Sequence, residues 1–200
     1  FYGGRLEGMV FVDGKATTQM EIPELANHIG VVLADYDTQL VTMTVREEVA
    51  FAMENRGYDR ETIKARSEEV FKQVGLVGLE DRKITSLSGG QRQRVGIAMA
   101  LALDPALLIG DEPTSALDVT TQSQVVMQMM ELSKVHNSAI VMVTHNLGVA
   151  AYMSDYIIVM KKGCVVDAGT PQEILENPSN EYTKQLKDAV PTLEGGRYID

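Results

Sequence analysis

Two short apolar segments constrain most strongly what this chain can fold into. Residues 107–110 and 139–143 contain only aliphatic residues, methionine, alanine and glycine, and each is followed by polar residues and then by a helical pattern. Strands that are apolar on both faces and alternate with helices are typical of a mostly parallel sheet covered by helices. In such sheets, ligands bind beyond the carboxyl ends of the strands. The sequence therefore predicts an α/β fold whose candidate site follows residues 110 and 143.

Further elements follow from apolar patterns and helix-start signals. Residues 29–33 predict a third buried strand, and residues 156–166 predict an antiparallel hairpin. Thr44 and Thr170 each precede a glutamate by three residues, which is the spacing of a capping box at a helix start. We expect a small antiparallel β part beside the parallel sheet and a helical subdomain inserted into the core.

The order of these elements divides the chain into four expected parts. Residues 1–40 hold the N-terminal strands of the core, and residues 41–86 form the helical subdomain. Residues 87–170 continue the core, and residues 171–200 form a C-terminal helix and tail.

Charge and cysteine content exclude several classes of protein. The chain has 200 residues, with 18 Lys+Arg against 28 Asp+Glu, which gives a formal net charge of −10. This balance argues against nucleic acid as a partner, because nucleic-acid binders usually present a basic face, but it allows one bound nucleotide. Cys164 is the only cysteine, so no internal disulfide can form. The apolar run from Val95 is interrupted by Asp104 and Pro105, and we expect no membrane span.

The first motif with candidate chemistry is Ser88-Gly89-Gly90-Gln91, which precedes the helical run 95–103. Ser88 can cap this helix with Gln91 three residues on, and the two glycines leave the first amides uncovered. Uncovered amides at the positive end of a helix form a site suited to a phosphate. The alternative is a glycine-bearing helix start without a ligand.

The second motif is the acidic pair Asp111 and Glu112, which follows the apolar strand 107–110. Two carboxylates at such a strand end suit a metal-bound water and a general base. Mg²⁺ in particular prefers one or two carboxylates together with phosphate oxygens and waters. The alternative is a solvated acidic strand end.

Two weaker signals lie nearby in the sequence. The segment 115–118, Ser-Ala-Leu-Asp, comes just after the acidic pair, and His145 follows the strand 139–143. Taken alone, the first is only a helix cap and the second is a structural histidine. His28 and His136 lack such a placement, and we interpret both as surface or packing residues.

Together these motifs follow one order between Ser88 and His145, and this order resembles the ATP-binding-cassette (ABC) ATPase family. Residues 88–91 match its signature motif, residues 107–111 match Walker B, and residues 115–118 match the D-loop. The resemblance covers nearly the whole chain. It implies a P-loop NTPase core of ABC type with an inserted helical subdomain.

The resemblance implies ATP and Mg²⁺ as cofactors and assigns catalytic roles to matched residues. Asp111 would help to hold Mg²⁺, and Glu112 would polarise the attacking water as the catalytic base. His145 matches the switch histidine, which would contact the γ-phosphate.

The family pairs its ATPase subunits head to tail, and each ATP lies between the phosphate loop of one subunit and the signature motif of the other. The residues of this chain that would face the partner's ATP are Ser88, Gly89, Gly90 and Gln91. Asp118 would line the seam between the two subunits.

The chain departs from the family at the phosphate loop, because no Gly-x-x-x-x-Gly-Lys-Ser/Thr motif is present. The nearest candidate, Gly14-Lys15, fails because Met9 stands where the first glycine is required and Ala16 where a hydroxyl is required. From Phe1 onward, the chain resembles the family only from just after the helix that this loop opens. We therefore expect an N-terminally truncated sequence, and we expect this fragment alone to be inactive.

A second departure lies at Ala34, where the family's Q-loop normally has glutamine. Alanine offers no donor or acceptor to the metal ion or the attacking water, which predicts weakened hydrolysis or altered coupling at this half-site. Gln39, five residues later, is the remaining candidate metal ligand in this segment.

Different segments of the chain resemble different branches of the family. Residues 33–56 resemble energy-coupling-factor and cobalt importers, whereas residues 114–120 and 177–183 resemble oligopeptide and dipeptide importers. We expect an ATP-binding and hydrolysing subunit of an importer, in the cytoplasm on the inner face of the cell membrane. Its partners would be a second ABC ATPase subunit and a transmembrane permease. A catalytically silent ABC-like interaction module and a non-transport ABC ATPase stay open as alternatives.

Overall fold

Strands and helices alternate along the chain. The computed structural model describes residues 7–189, of which residues 7–141 belong to one compact unit and residues 142–189 to another. The first unit contains, in chain order, β1 (Phe11–Val12), β2 (Lys15–Ala16), α1 (Ile22–Leu25), β3 (Ile29–Leu33), α2 (Tyr36–Gln39), α3 (Val45–Glu54), α4 (Arg60–Gln73), α5 (Gly89–Leu101), β4 (Leu107–Asp111) and α6 (Val119–His136). Next comes β5 (Ala139–Val143), within which the first unit ends. The second unit continues with α7 (Leu147–Met153), β6 (Ile157–Lys161), β7 (Cys164–Gly169), α8 (Pro171–Glu176) and α9 (Glu181–Asp188).

The predicted strands 29–33 and 139–143 are present with those bounds, and the strand predicted at 107–110 continues to Asp111. They form a three-stranded sheet in the order β3-β4-β5, in which β3 and β4 are parallel. The first and last residues of the chain, including Phe1 and the end of the predicted tail, lie outside the described residues.

Helix α5 covers one face of this sheet. Gly30 of β3 approaches the helix so closely that a Cβ atom there would lie 3.0 Å from the carbonyl oxygen of Ala100. Val32 and Leu108 are on the same side and are 1% and 0% exposed, whereas Val31, on the other face, is 40% exposed. The sequence predicts burial on both faces. Within the described residues burial instead alternates along β3, because α5 packs against only one face.

Helices α3 and α4 pack against each other and against α5. The capping box predicted at Thr44 is present: its hydroxyl oxygen accepts from the Glu47 N–H at 3.3 Å, and the Glu47 carboxylate accepts from the Thr44 N–H at 2.9 Å. Val45, Val49 and Met53 share the inner face of α3 and are completely buried. Their spacing of four residues is the helical period that places them on one side.

Glu48 is a fully buried carboxylate on α3. Its Oε2 atom accepts hydrogen bonds from the N–H of Val41 at 3.0 Å, from the N–H of Thr42 at 2.6 Å and from the Thr42 hydroxyl at 2.7 Å. Oε1 is buried and makes no hydrogen bond. One oxygen thus holds the segment that leads into α3.

His136 joins three elements at the end of α6. Its Nδ1 atom lies 2.8 Å from Asp104 Oδ1, in the turn between α5 and β4, and its Nε2 atom lies 2.9 Å from Gln73 Oε1, at the end of α4. The side chain is only 11% exposed. The interpretation of His136 as a packing residue agrees with this position.

The second unit is built around the predicted hairpin. β6 and β7 are antiparallel, and Lys162 and Gly163 form the turn between them. The core of this unit consists of apolar side chains from the hairpin, α7 and α8: Leu147, Ile157, Val159 and Ile174. The capping box predicted at Thr170 is also present, with Glu173 as its partner. Along residues 7–189, no helix has both the length and the apolar character needed to cross a membrane.

Replacing Glu48 by alanine should lower the free energy of unfolding by about 2–4 kcal/mol, because three donors lose their shared buried acceptor. Urea denaturation followed by circular dichroism measures this change. Glu54→Ala is the matched control, since Glu54 is exposed on the same helix. Equal unfolding midpoints for the two variants would contradict the role assigned to Glu48.

Candidate functional site

The start of α5 carries the first predicted motif, and its capping box is present. Ser88 Oγ accepts from the Gln91 N–H at 3.3 Å, and Gln91 Oε1 accepts from the Ser88 N–H at 2.9 Å. These bonds satisfy the N–H groups of Ser88 and Gln91. The other N–H groups of a first helical turn have no acceptor within the helix itself. The N–H groups of Gly89 and Gly90 belong to this turn. The motif therefore begins a well-defined helix with the polarity that favours an anion.

The two glycines of this motif are closely approached by neighbouring side chains. A Cβ atom on Gly89 would lie 2.9 Å from the hydroxyl oxygen of Tyr36, and one on Gly90 would lie 2.6 Å from Cγ2 of Thr121. Neither distance is compatible with an ordinary van der Waals contact. The segment 88–91 is thus flanked by α2 on one side and by the start of α6 on the other.

Asp118 caps α6 at this place. Its carboxylate accepts from the N–H of Thr121 at 3.0 Å and from the Thr121 hydroxyl at 2.6 Å. The hydroxyl bond is the main reason that the pKa of Asp118 lies below its ordinary value, since it favours the charged form. Through Thr121, the structure brings the Ser88–Gln91 motif and Asp118 together.

Asp111 and Glu112 lie at the carboxyl end of β4, as the sequence predicts. The register pairs Asp111 with Leu33, so Ala34 and Glu112 leave the sheet at the same edge. Glu112 has a φ of 50°, a left-handed backbone conformation that is uncommon for a residue with a side chain. Ser115 follows in a tight turn, where its N–H and hydroxyl both donate to the Glu112 carbonyl. Such backbone outliers cluster at functional sites.

The donor set fits Mg²⁺ in the way that a nucleotide site requires. Adjacent carboxylates supply hard oxygen ligands, and Mg²⁺ typically takes one or two of these together with phosphate oxygens and waters. Among residues 7–189, no group of three or more histidine, cysteine, aspartate or glutamate side chains is arranged to hold a metal ion.

Gln39 makes two hydrogen bonds to the edge of β3. Its side-chain N–H donates to the Val31 carbonyl at 2.8 Å, and its Oε1 accepts from the Leu33 N–H at 3.2 Å. The amide thereby pairs with the strand much as another strand would. Its role as a metal ligand stays a prediction.

His145 belongs to the second unit. It is exposed, between the end of β5 and Asn146, whose side chain caps α7 by accepting from the N–H groups of Gly148 and Val149. The position after an apolar strand matches the sequence prediction, and the proposed contact with a γ-phosphate stays a prediction.

Gly14-Lys15, the nearest sequence candidate for a phosphate loop, belongs to a hairpin. Asp13 and Gly14 have φ values of 50° and 73° and join β1 to β2 in a two-residue turn. Lys15 Nζ lies 3.2 Å from Glu24 Oε1. No helix begins at this turn, so it lacks the geometry with which a phosphate loop opens a helix.

Sequence reasoning missed three residues beside the α5 motif: Tyr36, Asp37 and Arg92. Arg92 Nη1 donates to both carboxylate oxygens of Asp37, at 2.7 and 3.1 Å. Its guanidinium also lies over the Tyr36 ring, 5.9 Å from the centroid. Arg92 lies 55 positions after Asp37 in the chain, so no local spacing indicates the contact.

Comparisons with known proteins agree with the geometry. The sequence model of the family described as "ABC transporter" matches residues 4–115. An oligopeptide transport ATP-binding protein of Haemophilus influenzae is 38% identical over 96% of this chain and 62% of its own length. An energy-coupling factor transporter ATP-binding protein of Streptococcus pneumoniae is 38% identical over 92% of this chain and 69% of its own length.

A solved structure is also similar. cbiO1 from Clostridium perfringens, described as part of the ABC transporter complex cbiONQ, has a TM-score of 0.73 and 32% identity, covering 82% of this chain and 64% of that one. This similarity confirms the predicted α/β fold class. The chain thus spans about two thirds of the length of these relatives.

Gly90→Ala should destabilise the protein by about 1–3 kcal/mol, which is the usual cost of overpacking. At other helix positions, alanine is more favourable than glycine. Thr121→Ser removes the clashing Cγ2 atom and keeps the hydroxyl that binds Asp118. The double variant should therefore recover most of the lost stability in urea denaturation. Equal losses of stability in the single and the double variant would show that the contact with Thr121 is not the reason that alanine is unfavourable at position 90.

Asp118→Asn should reduce the dependence of stability on pH in the acid range. The lowered pKa of Asp118 stabilises the fold above the ordinary aspartate pKa of about 3.9, and this contribution is lost as pH falls through the lowered value. The difference in urea midpoint between wild type and variant should therefore shrink from pH 6 towards pH 3. Asp155→Asn, at an exposed position, is the control, and a constant difference for Asp118→Asn would contradict the prediction.

Proposed function

Because the chain belongs to the ABC transporter family, we propose that it is the ATP-binding and hydrolysing part of an importer subunit. The observation that carries the proposal is the carboxylate pair Asp111 and Glu112 at the carboxyl end of β4, with Glu112 in a left-handed backbone conformation. That edge is where ligands bind in open α/β sheets.

Each residue of the pair has a separate task in this proposal. Asp111 would hold Mg²⁺, which when bound neutralises phosphate charge and orients the phosphate oxygens. Glu112 would accept a proton from the attacking water as general base. His145 would donate a hydrogen bond to the γ-phosphate, where negative charge develops in the transition state.

The start of α5 would serve a second nucleotide, held mainly by a partner subunit. Ser88 would donate a hydrogen bond from its hydroxyl to a phosphate oxygen, and the N–H groups of Gly89 and Gly90 would add two further donors. Gln91 keeps Ser88 in place through the capping box. Asp118 would line the seam between the subunits, next to Thr121.

The partners in this proposal are a second ABC ATPase subunit, paired head to tail, and a transmembrane permease. The subunit would lie on the cytoplasmic face of the membrane. The relatives named for oligopeptide transport and for energy-coupling factor transport support an importer.

A catalytically silent ABC-like module is the second candidate, and Ala34 is the residue that favours it. Ala34 leaves the sheet at the same edge as Glu112, and its methyl group neither donates nor accepts a hydrogen bond. In such a module the signature motif would still serve the partner's nucleotide.

The test compares MgATP binding and hydrolysis in two forms of the chain. The 200 residues contain no phosphate-loop motif, so calorimetric titration of this chain alone with MgATP should give no heat of binding. A form extended at its N-terminus by a segment that carries the family's phosphate loop should bind and hydrolyse ATP. In that form, Glu112→Gln should retain binding and lower turnover by about 10²-fold or more.

Three outcomes would contradict this account. Binding by the 200-residue chain alone would show that its phosphate site has been misassigned. Unchanged turnover in Glu112→Gln would remove Glu112 as the base. Binding without any hydrolysis in the extended form would favour the silent module.

A further inference from the structure

A short turn lies against the start of α5 and approaches its first glycine, Gly89. The turn consists of α2 and the residue before it, Asp35. Tyr36 places its hydroxyl oxygen 2.9 Å from where a Cβ of Gly89 would be. Asp37 binds Arg92 through both carboxylate oxygens. The turn therefore contacts the same helix start that the proposed function assigns to a phosphate.

This turn is held from the side of β3. The Asp35 carboxylate accepts from the Asp37 N–H at 3.1 Å, and the Asp35 carbonyl accepts from the Thr38 hydroxyl at 2.8 Å. Gln39 then fastens the end of the turn to Val31 and Leu33 through its side-chain amide. A turn fixed in this way presents Tyr36 and Asp37 towards α5 in one orientation.

Arg92 is folded back towards the helix start. Its Nε atom donates to the carbonyl of Leu87, the residue just before Ser88, at 3.2 Å, and its Nη1 atom donates to Asp37. A guanidinium in this position adds a full positive charge beside the amides of the first turn. Arginine is also the side chain whose geometry best matches a phosphate. In the present structure, the carboxylate of Asp37 takes the place that an external anion would take on Arg92.

We propose that Tyr36 and Asp37 form a latch over the start of α5, and that Arg92 is a further phosphate-binding residue which this latch withholds. The proposal rests on the proposed function, because it describes how the Ser88–Gly90 site becomes accessible. A phosphate arriving there displaces the Tyr36 hydroxyl from Gly89 and exchanges with Asp37 as the partner of Arg92.

The ion pair between Asp37 and Arg92 is weak enough for a phosphate to replace Asp37. Asp37 is 61% exposed and Arg92 is 26% exposed, and ion pairs with such exposed members contribute little net stability. A nucleotide phosphate carries more charge than a carboxylate and adds hydrogen bonds from the helix amides. Separating Asp37 from Arg92 therefore costs little free energy, and a bound nucleotide phosphate can replace the carboxylate.

The test measures MgATP-dependent association of the N-terminally extended form, defined above under the proposed function, by sedimentation velocity. Asp37→Asn removes the charge that holds Arg92, so association should be half-complete at an MgATP concentration about threefold to tenfold lower than for wild type. Arg92→Gln should raise that concentration. Asp81→Asn is the matched control, because Asp81 forms the same kind of exposed ion pair, with Arg46 at 2.8 Å.

The outcomes separate the latch from the proposed function. If wild type associates with MgATP and Asp37→Asn behaves like Asp81→Asn, the latch is wrong and the proposed function stands. If neither wild type nor Asp37→Asn associates at any MgATP concentration, the latch is wrong, and the binding and hydrolysis test described above decides the proposed function. Should Asp37→Asn not fold, Tyr36→Phe carries the same expectation, since it keeps the ring over Arg92 and removes the hydroxyl beside Gly89.

Discussion

The close approach of α5 to β3 is the constraint on which the first unit depends. Gly30 leaves room for the backbone of Ala100, and a side chain there would push the helix away from the sheet. The same helix contacts α2, α3, α4 and α6, so its distance from β3 sets the positions of all four. A motif at the start of such a helix, such as Ser88–Gln91, is held in position by the packing of the whole helix.

Hydrogen bonds of two side chains, Glu48 and His136, also hold segments of the first unit together. Glu48 fixes the chain between α2 and α3, and His136 ties the end of α4 to the ends of α5 and α6. Both side chains connect segments that are distant in sequence or differ in secondary structure. Buried polar contacts of this kind specify one arrangement among several that hydrophobic burial alone would allow. They explain how a helical block inserted in an α/β unit keeps a defined orientation towards α5.

The sequence predicts the local structure well and the contacts between segments poorly. Strands such as 29–33 and capping boxes such as Ser88 with Gln91 follow from signals within a few residues, and the structure confirms them. Burial on both faces of the sheet was expected from the apolar strands. Instead, Val31 and Leu33 are partly exposed among the described residues. The pair of Asp37 and Arg92 could not be predicted, because a single exposed charge shows no preference for one distant partner over another.

The turn after β3 presents different side chains from the one that the family resemblance leads one to expect. At position 34 a methyl group replaces the hydrogen-bonding amide that the family resemblance leads one to expect. The amide of Gln39 is bound to the edge of β3, where it stabilises the turn. What the turn presents to the start of α5 is instead a phenol and a carboxylate, from Tyr36 and Asp37. A turn that contacts a helix start through an anion competes with any other anion for that place. In the proposed function, the turn would regulate access to the start of α5, while Asp111 and Glu112 would carry the chemistry of hydrolysis.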